Sequence, residues 1–102
     1  MNNTKWKEIF QAFYGNECKS EHPVVRWRTK DKENGYLSEW DATWTHFGTN
    51  PQDRKYLEYL QIELTPDNRD FVLSVLKQIH VPGEISDNTV SVYGYRMDCD
   101  YI

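Results

Sequence analysis

The chain is short of every feature that announces a chemistry. It has two cysteines, Cys18 and Cys99, with no Cys-x-x-Cys spacing, so neither a zinc knuckle nor a redox pair is written into it. No stretch approaches the roughly 20 apolar residues of a membrane span, and the polar start MNNTKWKEIF lacks the apolar segment of a secretory leader. The expectation is therefore a cytosolic chain with reduced thiols and no membrane contact. P-loop, glycine-rich dinucleotide fingerprint and nucleophile elbow are missing too, and no cofactor or metal is expected. Positive charge is scarce: 12 Lys and Arg against 16 Asp and Glu leave a net charge of −4. Recognition of nucleic acid through its phosphates needs a positive footprint, and this balance argues against it. Residues 56–102 carry three bases and eight acids, a net −5, a field that favours a basic protein partner.

Aromatic surface is what the chain has in quantity. Four Trp, seven Tyr and four Phe make up 15% of its 102 residues, and each ring buries about 150–250 Å². That load offsets a hydrophobic share of only 38% and supplies the core of a single domain, residues 1–102, without a disulfide or metal.

Periodicity assigns the elements. Trp6, Ile9, Phe10, Phe13 and Tyr14 recur at helical spacing, with Asn3 or Thr4 to start the helix and Gly15-Asn16 to end it. Val24 to Thr29 alternates as a half-buried strand, and Asn34-Gly35 supplies a turn to a hairpin partner at Tyr36 to Trp40. Asp41 to Asp53 reads as a loop, with a short strand at Thr43 to Thr45. In Tyr56 to Leu64, Leu60, Ile62 and Leu64 face inward while Gln61 and Glu63 face solvent. Thr65-Pro66-Asp67 opens a second helix whose stripe is Val72, Val75, Leu76 and Ile79, and Pro82-Gly83 stops it. Val90 and Val92 place a last strand running to about Arg96. The fold class is α+β: an antiparallel sheet of about four strands with two helices on one face, in the order αβββαβ.

The densest chemistry lies in YLSEWDATWTHF, residues 36–47. Glu39 and Asp41 flank Trp40, so on an extended segment the two carboxylates share a face; the pairing suits either acid catalysis or a solvated rim beside an indole. Trp40 and Trp44 serve as core or, where exposed, as interface anchors, since Trp, Tyr and Arg dominate binding hot spots. Among His22, His46 and His80, His46 is the preferred functional histidine because it sits among Trp44, Asp41 and Phe47, whereas His80 suits the carbonyl end of the second helix. Arg26, Arg28, Lys30 and Lys32 alternate along the first hairpin, as edge strands do to avoid aggregation or as phosphate contacts. Tyr93-Gly94-Tyr95 marks a close backbone approach or a bulge, followed by the acids Asp98 and Asp100.

KWKEIF near the start, WDATW in the middle and VYGYR near the end resemble a family of small uncharacterised bacterial proteins over nearly the whole chain. In size, acidity and element order the chain is also similar to the immunity proteins that occlude bacterial toxin nucleases. That resemblance implies a non-enzymatic binding protein with a basic toxin domain as its partner. The resemblance is one of type and supplies no site residues; the contact set expected from the residues themselves is the acidic and aromatic face of Glu39, Trp40, Asp41, Trp44 and His46, helped by Tyr95, Asp98 and Asp100. Two readings from other classes stand beside it: a small nucleic-acid-acting enzyme using His46, and an adaptor whose activity is dimerisation.

Overall fold

The strongest alternation in the sequence becomes an inner strand. The computed structural model describes residues 3–17, 23–48, 57–95 and 100–102. Within them a helix α1 (Asn3–Glu17), strand β1 (Trp27–Asp31), short helix α2 (Trp44–Gly48), strand β2 (Leu57–Glu63), helix α3 (Arg69–Ile79), and strands β3 (Gly83–Ile85) and β4 (Thr89–Tyr93) follow in order. The sheet is antiparallel throughout, with strand order β1-β2-β4-β3. The α+β class with a four-stranded antiparallel sheet is thus the observed one. No helix among the described residues is long and apolar enough to cross a membrane.

Register separates the two faces of the sheet. Trp27 pairs with Ile62, Ile62 with Val90, and Leu60 with Val92, so these side chains share one face. There they join Trp6, Ile9 and Phe13 of α1, Trp44 and Phe47 of α2, and Val72 and Leu76 of α3 in one core. On the opposite face a row runs Arg28, Gln61, Ser91, Glu84, and beside it Lys30, Tyr59, Tyr93. None of these seven residues is buried.

Two local devices fix how the helices meet the sheet. Thr65 and Asn68 bond reciprocally across the turn that leads into α3: the Asn68 N–H donates to Thr65 Oγ1 at 3.1 Å, and the Thr65 N–H donates to Asn68 Oδ1 at 2.8 Å. Asn68 is 0% exposed, and its amide nitrogen is used twice more, donating to the carbonyls of Val24 at 2.9 Å and Glu63 at 3.0 Å. One side chain thus ties the approach to β1, the end of β2 and the start of α3 together. At the other end of α3, His80 takes the left-handed conformation with φ 68°, and its ring stacks on Tyr101 with centroids 4.4 Å apart.

Several elements differ from their sequence expectation. α1 runs past Gly15-Asn16 to Glu17, because Asn16 turns inward and donates to the Pro23 carbonyl at 3.2 Å instead of ending the helix. The hairpin partner at Tyr36 to Trp40 is reduced to two isolated bridges, Lys30 with Leu37 and Trp27 with Asp41. Between them the Thr29 N–H donates to the Ser38 hydroxyl, which interrupts the ladder. Thr43 to Thr45 is not a strand; Asp41 accepts the Thr43 N–H at 2.7 Å and starts α2 in its place. Gly83–Ile85 is a strand beyond its role as a helix stop. A Cβ on Gly83 would lie 2.3 Å from the Ser91 carbonyl oxygen, and one on Gly94 2.2 Å from that of Leu57, so both glycines mark close backbone approaches. The last strand ends at Tyr93; Arg96, like Cys18, His22 and Cys99, lies outside the described residues.

Candidate contact surface

Residues 36–41 run along the outer side of β1. Trp27 and Asp41 exchange both backbone hydrogen bonds at 2.8 Å, and Ser38 donates to the Thr29 carbonyl at 2.9 Å. Strand parity then separates neighbours: Asp41, opposite Trp27, turns toward α2, while Trp40 lies over the open sheet face, where the Arg28 guanidinium sits 4.5 Å from its ring centroid. Arg28 is held from its other side by Gln61, whose Oε1 accepts the Nε–H at 2.6 Å. The indole is left part-exposed, with the exposed Glu39 beside it.

Asp41 and His46 form the most polarised pair of the region. His46 Nδ1 lies 2.6 Å from Asp41 Oδ2, with side chains 64% and 29% exposed. Partial burial pushes the Asp41 carboxyl up, but the hydrogen bonds from His46 and from the Thr43 N–H, with the charge of His46, outweigh it and hold the group below its usual range. Such a pair orients an imidazole for proton transfer; it also ties the two ends of a short helix-starting turn. A cavity of about 280 Å³ beside the pair is lined by Phe13, Asn16, Val24, Val25, Ala42, Thr43 and Trp44, with neither Asp41 nor His46 on its wall. Among the described residues no cluster of three or more His, Cys, Asp or Glu is placed to hold a metal ion.

The remaining expected contact residues scatter. Trp44 is a correction: it is 1% exposed, stacks on Phe13 with centroids 4.7 Å apart, and donates its indole N–H to the Val25 carbonyl at 3.0 Å. The reason is helical geometry, since α2 turns Trp44 and Phe47 together into the core. Tyr95 is exposed at the opposite end of β1, where the Lys32 ammonium lies 3.9 Å from its ring centroid. Asp100 borders the far edge of the sheet, its carbonyl accepting the Gly83 N–H at 3.1 Å. Five strand spacings, about 24 Å, part it from Asp41. Asp98 lies outside the described residues. The structure thus gathers Glu39, Trp40, Asp41 and His46 at one rim and leaves Trp44, Tyr95 and Asp100 out of it.

Sequence reading passed over Tyr59, Tyr93 and Glu84 as surface groups. The Tyr93 hydroxyl donates to Glu84 Oε2 at 3.0 Å, and the Tyr59 and Tyr93 rings meet edge to face at 6.4 Å. The alternation of β2 and β4 already put both tyrosines on the side away from Leu60 and Val92.

Residues 1–99 match the model of a family of unknown function, DUF6678, and the chain belongs to that family. No curated protein and no solved structure matches it.

Proposed function

We propose that this member of the family is a non-enzymatic binding protein whose contact site is the rim of Glu39, Trp40, Asp41 and His46. The observation that carries the reading is the contrast between two indoles four residues apart. Trp44 is sealed in the core, while Trp40 stays part-exposed over the Arg28 guanidinium. A large ring kept in place at the surface loses little freedom on binding, which is the property of an interface anchor. Tyr36, 63% exposed, and Leu37, 41% exposed, extend the apolar part of the rim.

The partner is a basic protein, and the role is that of a cytosolic immunity protein that covers the active site of a nuclease-type toxin. The net charge of −4 supports this, since complementary fields speed encounter and select partners. Coexpression with the product of the gene directly upstream tests it. Protection from growth arrest, with a complex tighter than about 1 µM, is the expected result; growth arrest without a complex removes the reading.

The 2.6 Å approach of His46 to Asp41 supports a second reading, a nucleic-acid-acting enzyme with His46 as its base. Cleavage of RNA or DNA that is lost in His46→Ala would establish it. Cleavage that this change leaves intact discards it.

A further inference from the structure

The open sheet face carries charges of opposite sign at its two ends. Arg28 stands at one end of the row Arg28, Gln61, Ser91, Glu84 and Glu84 at the other, about 14 Å apart by strand spacing. In the adjacent row Tyr59 and Tyr93 sit side by side at the centre of the face, with Lys30 on the Arg28 side.

This pattern is complementary to itself. A two-fold axis lying between two such faces and parallel to the strands reverses the order of the columns and keeps each row in place. Arg28 of one copy then faces Glu84 of the second, and Glu84 faces Arg28. Tyr59 faces Tyr93, and Gln61 faces Ser91. The arrangement has aromatic rings in the middle, with Arg28 and Glu84 toward the margin, and sets Glu63 of each copy opposite the neutral Thr89 of the other. With the axis laid across the strands instead, the columns stay in place and the strand direction reverses, so Arg28 would meet Arg28 or Lys30 of the second copy. The row therefore selects one symmetry.

We infer that the open face, through Arg28 and Glu84, is the contact surface of a homodimer, with a second copy of this chain as its occupant. This goes beyond the rim proposal: Glu39, Asp41 and His46 lie outside the paired rows, but Trp40 lies over Arg28 on this face, so a second copy and a rim partner would compete for Trp40 and are measured separately. Few residues take part and the pairs are at the surface, so association is at the weak end of specific contacts.

Sedimentation velocity over a concentration series of the full chain is the test. The expected result is a reversible dimer at low salt whose dissociation constant rises at least about tenfold at 0.5 M salt, where the Debye length has shrunk to a few ångströms. Glu84→Lys and Arg28→Glu should each be monomeric, since each places like charges opposite one another. Their equimolar mixture should dimerise, because the two altered faces complement each other across the axis. A misfolded variant cannot give that rescue. Wild type that stays monomeric at all concentrations overturns the inference, as does a dimer that both reversals leave unchanged. If Arg28→Glu fails to fold, Glu84→Gln still decides: it should weaken the dimer and lessen its response to salt, and an unaltered dimer counts against the surface.

Discussion

The Arg28 guanidinium lies over Trp40, 4.5 Å from the ring centroid, while the other three tryptophans, Trp6, Trp27 and Trp44, are 2%, 6% and 1% exposed. Acrylamide should therefore quench one indole efficiently, and Trp40→Phe should remove that fraction. Arg28→Ala removes a contact worth about 0.5–1 kcal/mol at an exposed site and should increase the quenching of Trp40 with little change in the melting temperature. Quenching that survives Trp40→Phe would show the exposed indole to be a different one.

Trp44 carries a different expectation. Trp44→Ala empties the stack on Phe13 and strands the Val25 carbonyl, at a cost of about 3–5 kcal/mol. Urea unfolding should separate it from Trp40→Ala, which should cost less than about 1 kcal/mol.

Asn68→Ala removes one acceptor and two donors from a fully buried position. A loss of about 2–4 kcal/mol follows, because the Thr65 N–H and the Val24 and Glu63 carbonyls lose their partner together. Asn68→Asp keeps the acceptor of the Thr65 N–H yet loses both donors and buries a charge, so urea denaturation should find it no more stable than the alanine variant.

The glycines should split by their surroundings. Gly94→Ala drives a methyl to 2.2 Å from the Leu57 carbonyl oxygen, against a backbone held by the Gly94 N–H bond to the Glu58 carbonyl, and this overpacking costs about 1–3 kcal/mol. Gly15 lies inside α1 with nothing within 4 Å of its added Cβ, so Gly15→Ala should stabilise by about 0.5–1 kcal/mol. Thermal melts of the two variants should move in opposite directions.

Acid should loosen the start of α2. Asp41 is held below its usual value in the fold, where partial burial opposes but does not overcome the hydrogen bonds from His46 and Thr43. A depressed carboxylate contributes stability that is complete above its unfolded value of about 3.9 and is lost as pH falls through the lower folded value. The Asp41 carboxyl resonance should titrate below the ordinary aspartate range, and His46→Ala should move its midpoint upward. A midpoint that His46→Ala leaves in place would separate the pair electrostatically.

Much of the architecture is legible in the residue pattern. β2 and α3 follow from Leu60, Ile62 and Leu64 at period two and from Val72 and Leu76 at helical spacing; Thr65-Pro66 opens a turn, and the helix itself starts later than expected, at Arg69. β3 was hidden because Gly83 and Glu84 carry no strand signal; pairing with β4 alone makes them one. α2 was hidden because it depends on the Asp41 carboxylate turning back onto the Thr43 N–H, a choice that a strand would have refused. The rim was half legible: WDATW concentrates the chemistry, but whether Trp40 or Trp44 faces outward depends on the switch from extended chain to helix between them. Tyr95 and Asp100 looked continuous with the rim through composition, and only strand order places them elsewhere.

Direct binding measurement on the rim bears most heavily on the functional reading. The purified chain would be titrated calorimetrically with the basic domain of the protein encoded directly upstream, beside Trp40→Ala and Glu39→Lys variants whose circular dichroism matches wild type. The account predicts a dissociation constant below about 1 µM, weakened at least about thirtyfold by Trp40→Ala, as for an anchor worth 2 kcal/mol or more, and weakened further by Glu39→Lys at low salt. Equal affinity for wild type and both variants, or no binding at all, would contradict it.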